Sequence, residues 1–219
     1  MDWPAVSNRD AAGNERIWGM IKATWQERGI VEGHGSGLRS LNQINAFAAA
    51  GLSSDHEVVL ADEGIEKLRR GIFLEVRADT ARVLFPRMLA LGLTDWSNIS
   101  ITTDDRDVAA TLALGAMDYN IKNAIKAGSP IIQAYQMASY NTARHFKLDH
   151  LVGAIAPGRY ADVVFLNDPE TVAIHSVYAN GKLAAHEDKE SGSYLLPITK
   201  IDYPDWAKNT MNVGRSVNA

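Results

Sequence analysis

Cysteine is absent from the 219 residues. That excludes disulfides, iron–sulfur clusters, thiolate zinc sites and a cysteine nucleophile, and it suits a reducing compartment. Long apolar runs are missing as well: none approaches the ~18 residues of a membrane span. The polar start MDWPAVSNRDAAGNE does not read as a signal peptide. Nor is there an excess of basic charge, since 22 Lys and Arg face 26 Asp and Glu for a formal net charge of −4. Nothing in that balance argues for nucleic acid or an anionic membrane as partner. A P-loop, a dinucleotide fingerprint and a Gly-x-Ser-x-Gly elbow are all lacking, so the common phosphate-binding and serine-hydrolase designs drop out. The expectation is a soluble, cytoplasmic protein.

What is present is ordinary globular material, 46% hydrophobic and 22% charged, enough for one sizeable domain. Residues 1 to 14 read as irregular. Ile17, Ile21 and Trp25 recur at helical spacing over Glu15 to Arg28, and Gly29 stops that helix. Short strands are expected at Ile30 to Glu32, Leu52 to Asp55, Ile72 to Arg77 and Ile99 to Thr103. Helices at Ser40 to Ala50, Ala61 to Arg70 and Thr80 to Leu91 separate them. From Asp107 to Phe146 the pattern is helical in pieces, broken at Gly115 and at Gly128 to Pro130. Alternation of this kind means a parallel α/β sheet, open or closed into a barrel.

After Phe146 the character changes. A strand is expected at Ala161 to Leu166, and VAIHSVYANGKLAA holds two β-rich runs around Asn180-Gly181, a hairpin signal. Residues 150 to 186 therefore read as a small β unit. Residues 187 to 219 read as a linker or tail, in which Trp206 and Tyr203-Pro204 offer packing groups.

Three of the expected strands end in polar residues able to carry chemistry. GIVEGHG ends at His34, LSSDHE at His56, and ISITTDDR at Asp104 and Asp105. In parallel α/β proteins, ligands bind at the carboxyl ends of the strands. Glycines around His34 permit close backbone approach. His56 lies between Asp55 and Glu57, either of which would fix its tautomer or share a proton with it. Strand alternation allows only one of Asp104 and Asp105 to face the pocket. Asp104 is favoured, and the other acid would then pair with Arg106 or cap the helix starting near Asp107. His145, His150, His175 and His186 have no ligand-like surroundings. Two histidines and an aspartate on successive strand ends suit metal-assisted hydrolysis, in which a cation lowers the pKa of water from ~15.7 towards ~7.

With those residues assembled, the chain resembles the adenine deaminases of the amidohydrolase superfamily. The likeness is carried by EGHGSGLRSLNQINAFAAAGLSSDHE, EKLRRGIFLEVR, TTDDR, NTARHFKLDHLVGAIAPGRYADVVFLND and VYANGK. It implies a (β/α)₈ TIM-type barrel with a binuclear centre of manganese or iron rather than zinc, acting on the purine adenine to give hypoxanthine and ammonia. On that resemblance His34, His56 and Asp104 are metal ligands from the fifth, sixth and eighth strands. Asp104 also takes a proton from the attacking water, and His56 and Glu57 manage protons near the purine.

The departures are as informative. The family's His-x-His pair and bridging Glu are not found here, Gly35-Ser36 stand where many members have Pro, and Ala116 replaces a histidine. The resemblance thus implies an internal piece: residues 1–149 as the C-terminal half of the barrel (strands five to eight), 150–186 as the return segment of the small β domain, and 187–219 as linker. Half a barrel exposes strand edges that favour a homo-oligomer or pairing with the missing half. A binuclear centre would form only if the missing ligands were supplied, so weak or absent turnover is expected of these residues alone. Two other readings stay open: a related amidohydrolase acting on another amino-purine, a pterin or a cyclic amide, and a non-catalytic partner of a chain supplying the first half.

Overall fold

The computed structural model describes residues 2–7, 11–187, 194–195 and 205. Trp206 and the Tyr203-Pro204 pair lie outside the described residues. The part before residue 150 is α/β. Its strands β1 (Ser54–Asp55), β2 (Phe73–Arg77) and β3 (Ile99–Thr102) form a parallel sheet in that order. Ser54 is in register with Phe73, Leu74 with Ile99, and Arg77 with Thr102.

The helices are α1 (Trp3–Ser7), α2 (Ala11–Gln26), α3 (Leu41–Ala49), α4 (Ala61–Leu68), α5 (Ala78–Ala90), α6 (Val108–Leu114), α7 (Met117–Lys126), α8 (Ile131–Ala138) and α9 (Tyr140–His145). Helix α3 begins as its sequence dictates. Ser40 accepts from the Gln43 amide while the Gln43 side chain accepts from the Ser40 amide, a reciprocal capping box. Helix α5 buries Ala81, Leu84, Phe85 and Met88, the i, i+3, i+4, i+7 stripe of a helix laid on a sheet. That stripe packs with Leu74, Val76, Ile99 and Ile101 and with Ile121, Ala124 and Met137 beyond them. A second cluster joins Ile21, Val31, Leu38, Ile44, Phe47 and Leu52 beneath the loop that carries His34.

Two expectations need correction. Residues 1 to 14 are not irregular throughout, because α1 occupies Trp3–Ser7 with Pro4 in its first turn, where a missing N–H costs nothing. No strand forms over Ile30 to Glu32 either. Val31 O accepts from the Ser53 amide, but the Gly33 amide turns to the Ser54 hydroxyl at 3.2 Å, so the main-chain ladder does not continue. The close approach there requires glycine: a Cβ on Gly33 would lie 2.2 Å from Ser54 O and 2.4 Å from Phe47 Cζ.

The C-terminal β unit is antiparallel, with β4 (Val163–Asp168), β5 (Ala173–Ala179), β6 (Lys182–Glu187) and β7 (Tyr194–Leu195) in sequential order. Asn180 and Gly181 both have positive φ (50° and 72°), so the β5–β6 connection is a type I′ turn. Strand β7 places two residues of the stretch read as tail on the edge of this sheet, opposite His186 and Glu187. Among the described residues no helix is long and apolar enough to cross a membrane.

Candidate metal centre

The carboxyl ends of the parallel strands bring the sequence-derived residues into one region. His34 follows the extended run through Gly33, and its carbonyl accepts from the Trp3 amide at 3.0 Å. His56 and Glu57 follow β1 directly. The two imidazoles stand edge to face with centroids 4.9 Å apart. Glu57 Oε1 is 3.6 Å from His34 Nε2 and 3.9 Å from His56 Nε2. One ligand atom from each of His34, His56 and Glu57 can be chosen so that all lie within 4.8 Å of one another, and all three side chains are half-buried.

The donor set fits a divalent cation. Two neutral imidazoles and one carboxylate are the ligands that first-row ions of intermediate softness accept. With bonds of about 2.1 Å, ligand atoms around a tetrahedral ion sit about 3.4 Å apart; the two Glu57 spacings, 3.6 and 3.9 Å, are near that, and the whole set lies within 4.8 Å. The outer partners are in place too. His34 Nδ1 lies 3.2 Å from Asp2 Oδ1, and the Ser36 hydroxyl donates to Glu57 Oε2 at 3.2 Å. On the far side of His56, Nδ1 is 3.9 Å from Glu75 Oε2. Carboxylates behind ligating imidazoles fix the tautomer and raise ligand basicity.

Asp104 stands outside this group and is joined to it through an arginine. Its Oδ2 accepts from Arg77 NH1 at 3.0 Å, and the same nitrogen is 3.5 Å from Glu57 Oε1. Asp104 has φ +47°, in the left-handed region that aspartate tolerates better than most residues. The chain therefore turns at Asp104, leaving Asp105 83% exposed against 28% for Asp104. The remaining acid does not take the roles expected of it. Asp107 itself caps α6, accepting from the Ala110 amide at 2.7 Å. Arg106 donates to Asn120 Oδ1 and to the Gly115 and Ala116 carbonyls, and lies over the Tyr119 ring.

Arg77 and Glu75 are site residues that the motif reading missed. Both were legible as alternate positions of FLEVR, whose Leu74 and Val76 face the helices while Phe73, Glu75 and Arg77 face the other way. Burial, and then repulsion from the Glu32 carboxylate, push the Glu75 carboxyl up to about 7. Glu32 behaves oppositely. Burial alone would raise it, but hydrogen bonds from His145 (2.8 Å) and Ser54 outweigh that and hold it below its usual range. His145 is stacked on Phe73 at 4.1 Å, so its context is structural.

Two histidines and a carboxylate thus meet on a parallel α/β scaffold. The model of the Amidohydrolase family matches residues 24–184, and the chain belongs to that family. It is 48% identical over 219 residues to Adenine deaminase 2 of Jannaschia sp. (strain CCS1) and 49% identical over 219 residues to Adenine deaminase 1 of Bradyrhizobium sp. (strain ORS 278). Each alignment takes in 100% of this chain and 34% of the relative, so the chain spans about a third of the length of the curated relatives it matches. Among solved structures, β-aspartyl dipeptidase from Fervidobacterium islandicum AW-1 aligns with a TM-score of 0.61 at 20% identity, over 87% of this chain and 54% of that one. N-acetylglucosamine-6-phosphate deacetylase from Pasteurella multocida aligns at 0.58 and 17%, over 76% and 53%. These structures share the fold.

Proposed function

We propose that the chain is the strand-five-to-eight half of a (β/α)₈ barrel from an adenine deaminase, with residues 1–149 as that half and 150–186 as the return segment of a small β domain. The observation that carries the proposal is the convergence of His34, at the end of an extended run, with His56 and Glu57, directly after β1, within 4.8 Å. The full-length similarity to adenine deaminases supports it.

His34 and His56 would hold the cation, manganese or iron in preference to zinc, together with Asp104, which Arg77 links to Glu57. When bound, the cation supplies Lewis acidity, which lowers the pKa of water towards about 7. The chain's own groups do the rest. Glu57 Oε1, between two imidazole nitrogens and 3.5 Å from the Arg77 guanidinium, is placed to hold and release a proton beside the two histidines. Asp104 would accept the proton from water, its carboxylate oriented by Arg77. His56 would be positioned through Nδ1 by Glu75. The substrate would be the purine adenine, and hypoxanthine and ammonia the products.

The test is a Mn²⁺ titration of the purified chain by calorimetry, alongside His34→Ala and His56→Ala. Saturable binding that either substitution weakens at least about tenfold is expected. Adenine turnover by the 219 residues alone is expected to be weak or absent, because no His-x-His pair is among them. Robust turnover, or Mn²⁺ binding indifferent to His34→Ala, would overturn the proposal.

A further inference from the structure

Behind the two histidines lies a charged cluster with no solvent exposure at its centre. Asp55 and Lys67 are each 0% exposed and Glu63 is 7% exposed. Lys67 Nζ donates to Asp55 Oδ2 and, at 2.5 Å, to Glu63 Oε1. The other oxygen of Asp55 does something different. Oδ1 accepts from the Gly35 amide at 2.6 Å and from the Glu57 amide at 3.1 Å. One carboxylate oxygen therefore ties the residue after His34 to the residue after His56. Glu63 completes the frame, since Oε2 lies 3.5 Å from Arg39, at the far end of the same loop.

We infer that Asp55, held by Lys67, is the positioning residue that sets the separation of the His34 and His56 loops, a role resting on the metal reading above. Two connections, residues 33–39 and residues 56–60, share no backbone hydrogen bond of their own across the site. The Asp55 carboxylate supplies that tie from within. Lys67 balances its buried charge: the ammonium engages Oδ2, while Oδ1 faces both amides. Gly35 is part of the same fit, because a Cβ there would stand 3.0 Å from both Cγ and Oδ1 of Asp55. A buried ion pair is often neutral for stability when both partners are replaced together. Its effect here is on geometry at the ligand loops.

That separation of roles gives the test. Two double variants remove the same charges. Asp55→Asn with Lys67→Met keeps an oxygen acceptor for the two amides, and Asp55→Leu with Lys67→Met does not. The first is expected to bind Mn²⁺ within about threefold of the wild type. The second should bind about 10–100-fold more weakly, the usual loss for an outer support of a metal site. Amide hydrogen exchange at Gly35 and Glu57 should accelerate together in the Leu variant and stay slow in the Asn variant. Gly35→Ala, which displaces the carboxylate without altering charge, is the second route should the Leu variant fail to fold, and is expected to weaken Mn²⁺ binding about tenfold. Equal affinity across all variants, with unchanged exchange at both amides, would overturn the inference. A wild-type chain that took up no Mn²⁺ would refute the metal reading instead, and the exchange arm would then decide the loop tie by itself.

Discussion

Glu75→Gln should make the metal-free protein more stable, and by an amount that depends on pH. The folded chain holds the Glu75 carboxyl at about 7 against an ordinary 4.5, through burial and the neighbouring Glu32 carboxylate. Between those values the folded state binds a proton that the unfolded chain has released. Stability therefore falls as pH rises from about 4.5 to about 7. At about 1.4 kcal/mol per pH unit the full displacement is worth at most about 3.5 kcal/mol. The side chain keeps some access to water, 17% by area, so screening brings the expected figure to about 2 kcal/mol. Glutamine has the same shape and no proton to lose. The stability of Glu75→Gln minus that of the wild type should grow by about 2 kcal/mol between pH 5 and pH 8. Urea denaturation in the presence of a chelator, followed by tryptophan fluorescence at several pH values, measures that difference. A difference that stays flat across the range would refute the reasoning, because burial and repulsion at Glu75 act only through its charge.

Other outcomes follow from packing. Gly33→Ala should destabilise the chain by about 2 kcal/mol or more, since overpacking against backbone finds no room to relax, whereas Gly19→Ala in α2, with open space around its Cβ, should stabilise by about 0.5–1 kcal/mol. The two denaturation midpoints should move in opposite directions. Asn141 is buried and its amide donates to the Trp96 and Ile99 carbonyls at 2.8 and 2.9 Å. Asn141→Ala should therefore cost about 1–3 kcal/mol by removing two buried hydrogen bonds at the start of β3, and a thermal melt checks it.

The order of elements was legible where pattern and punctuation agreed. The capping box at Ser40 and Gln43, the α5 stripe and the Asn180-Gly181 turn are each local, and each formed where its chemistry pointed. What stayed hidden depends on long-range partners. The run Ile30 to Glu32 has the residues of a strand, but its ladder is diverted by the Ser54 hydroxyl, 21 positions away from Gly33. Lys67 with Glu63 four residues earlier reads as a surface ion pair on a helix, and only the fold shows that it is sealed beneath the site. The histidines and Glu57 could be named from strand ends. That Arg77 stands between Glu57 and Asp104 could not, because the register of β2 against β3 decides it.

The His145–Glu32 bond joins positions 113 apart in the chain. Between them run all three parallel strands and most of the helices, so the contact closes a loop about the size of a whole small domain. Closure entropy rises only slowly with length, but contacts of such separation slow folding. Phe73 would lack its stacked ring and Glu32 its bond to His145 until α9 has left the ribosome, and the sheet face carrying the metal-site carboxylates would be the last part of the α/β unit to become protected. A chain stopped before residue 145 should expose that face, and bind to itself or to chaperones more readily than one extended through α9.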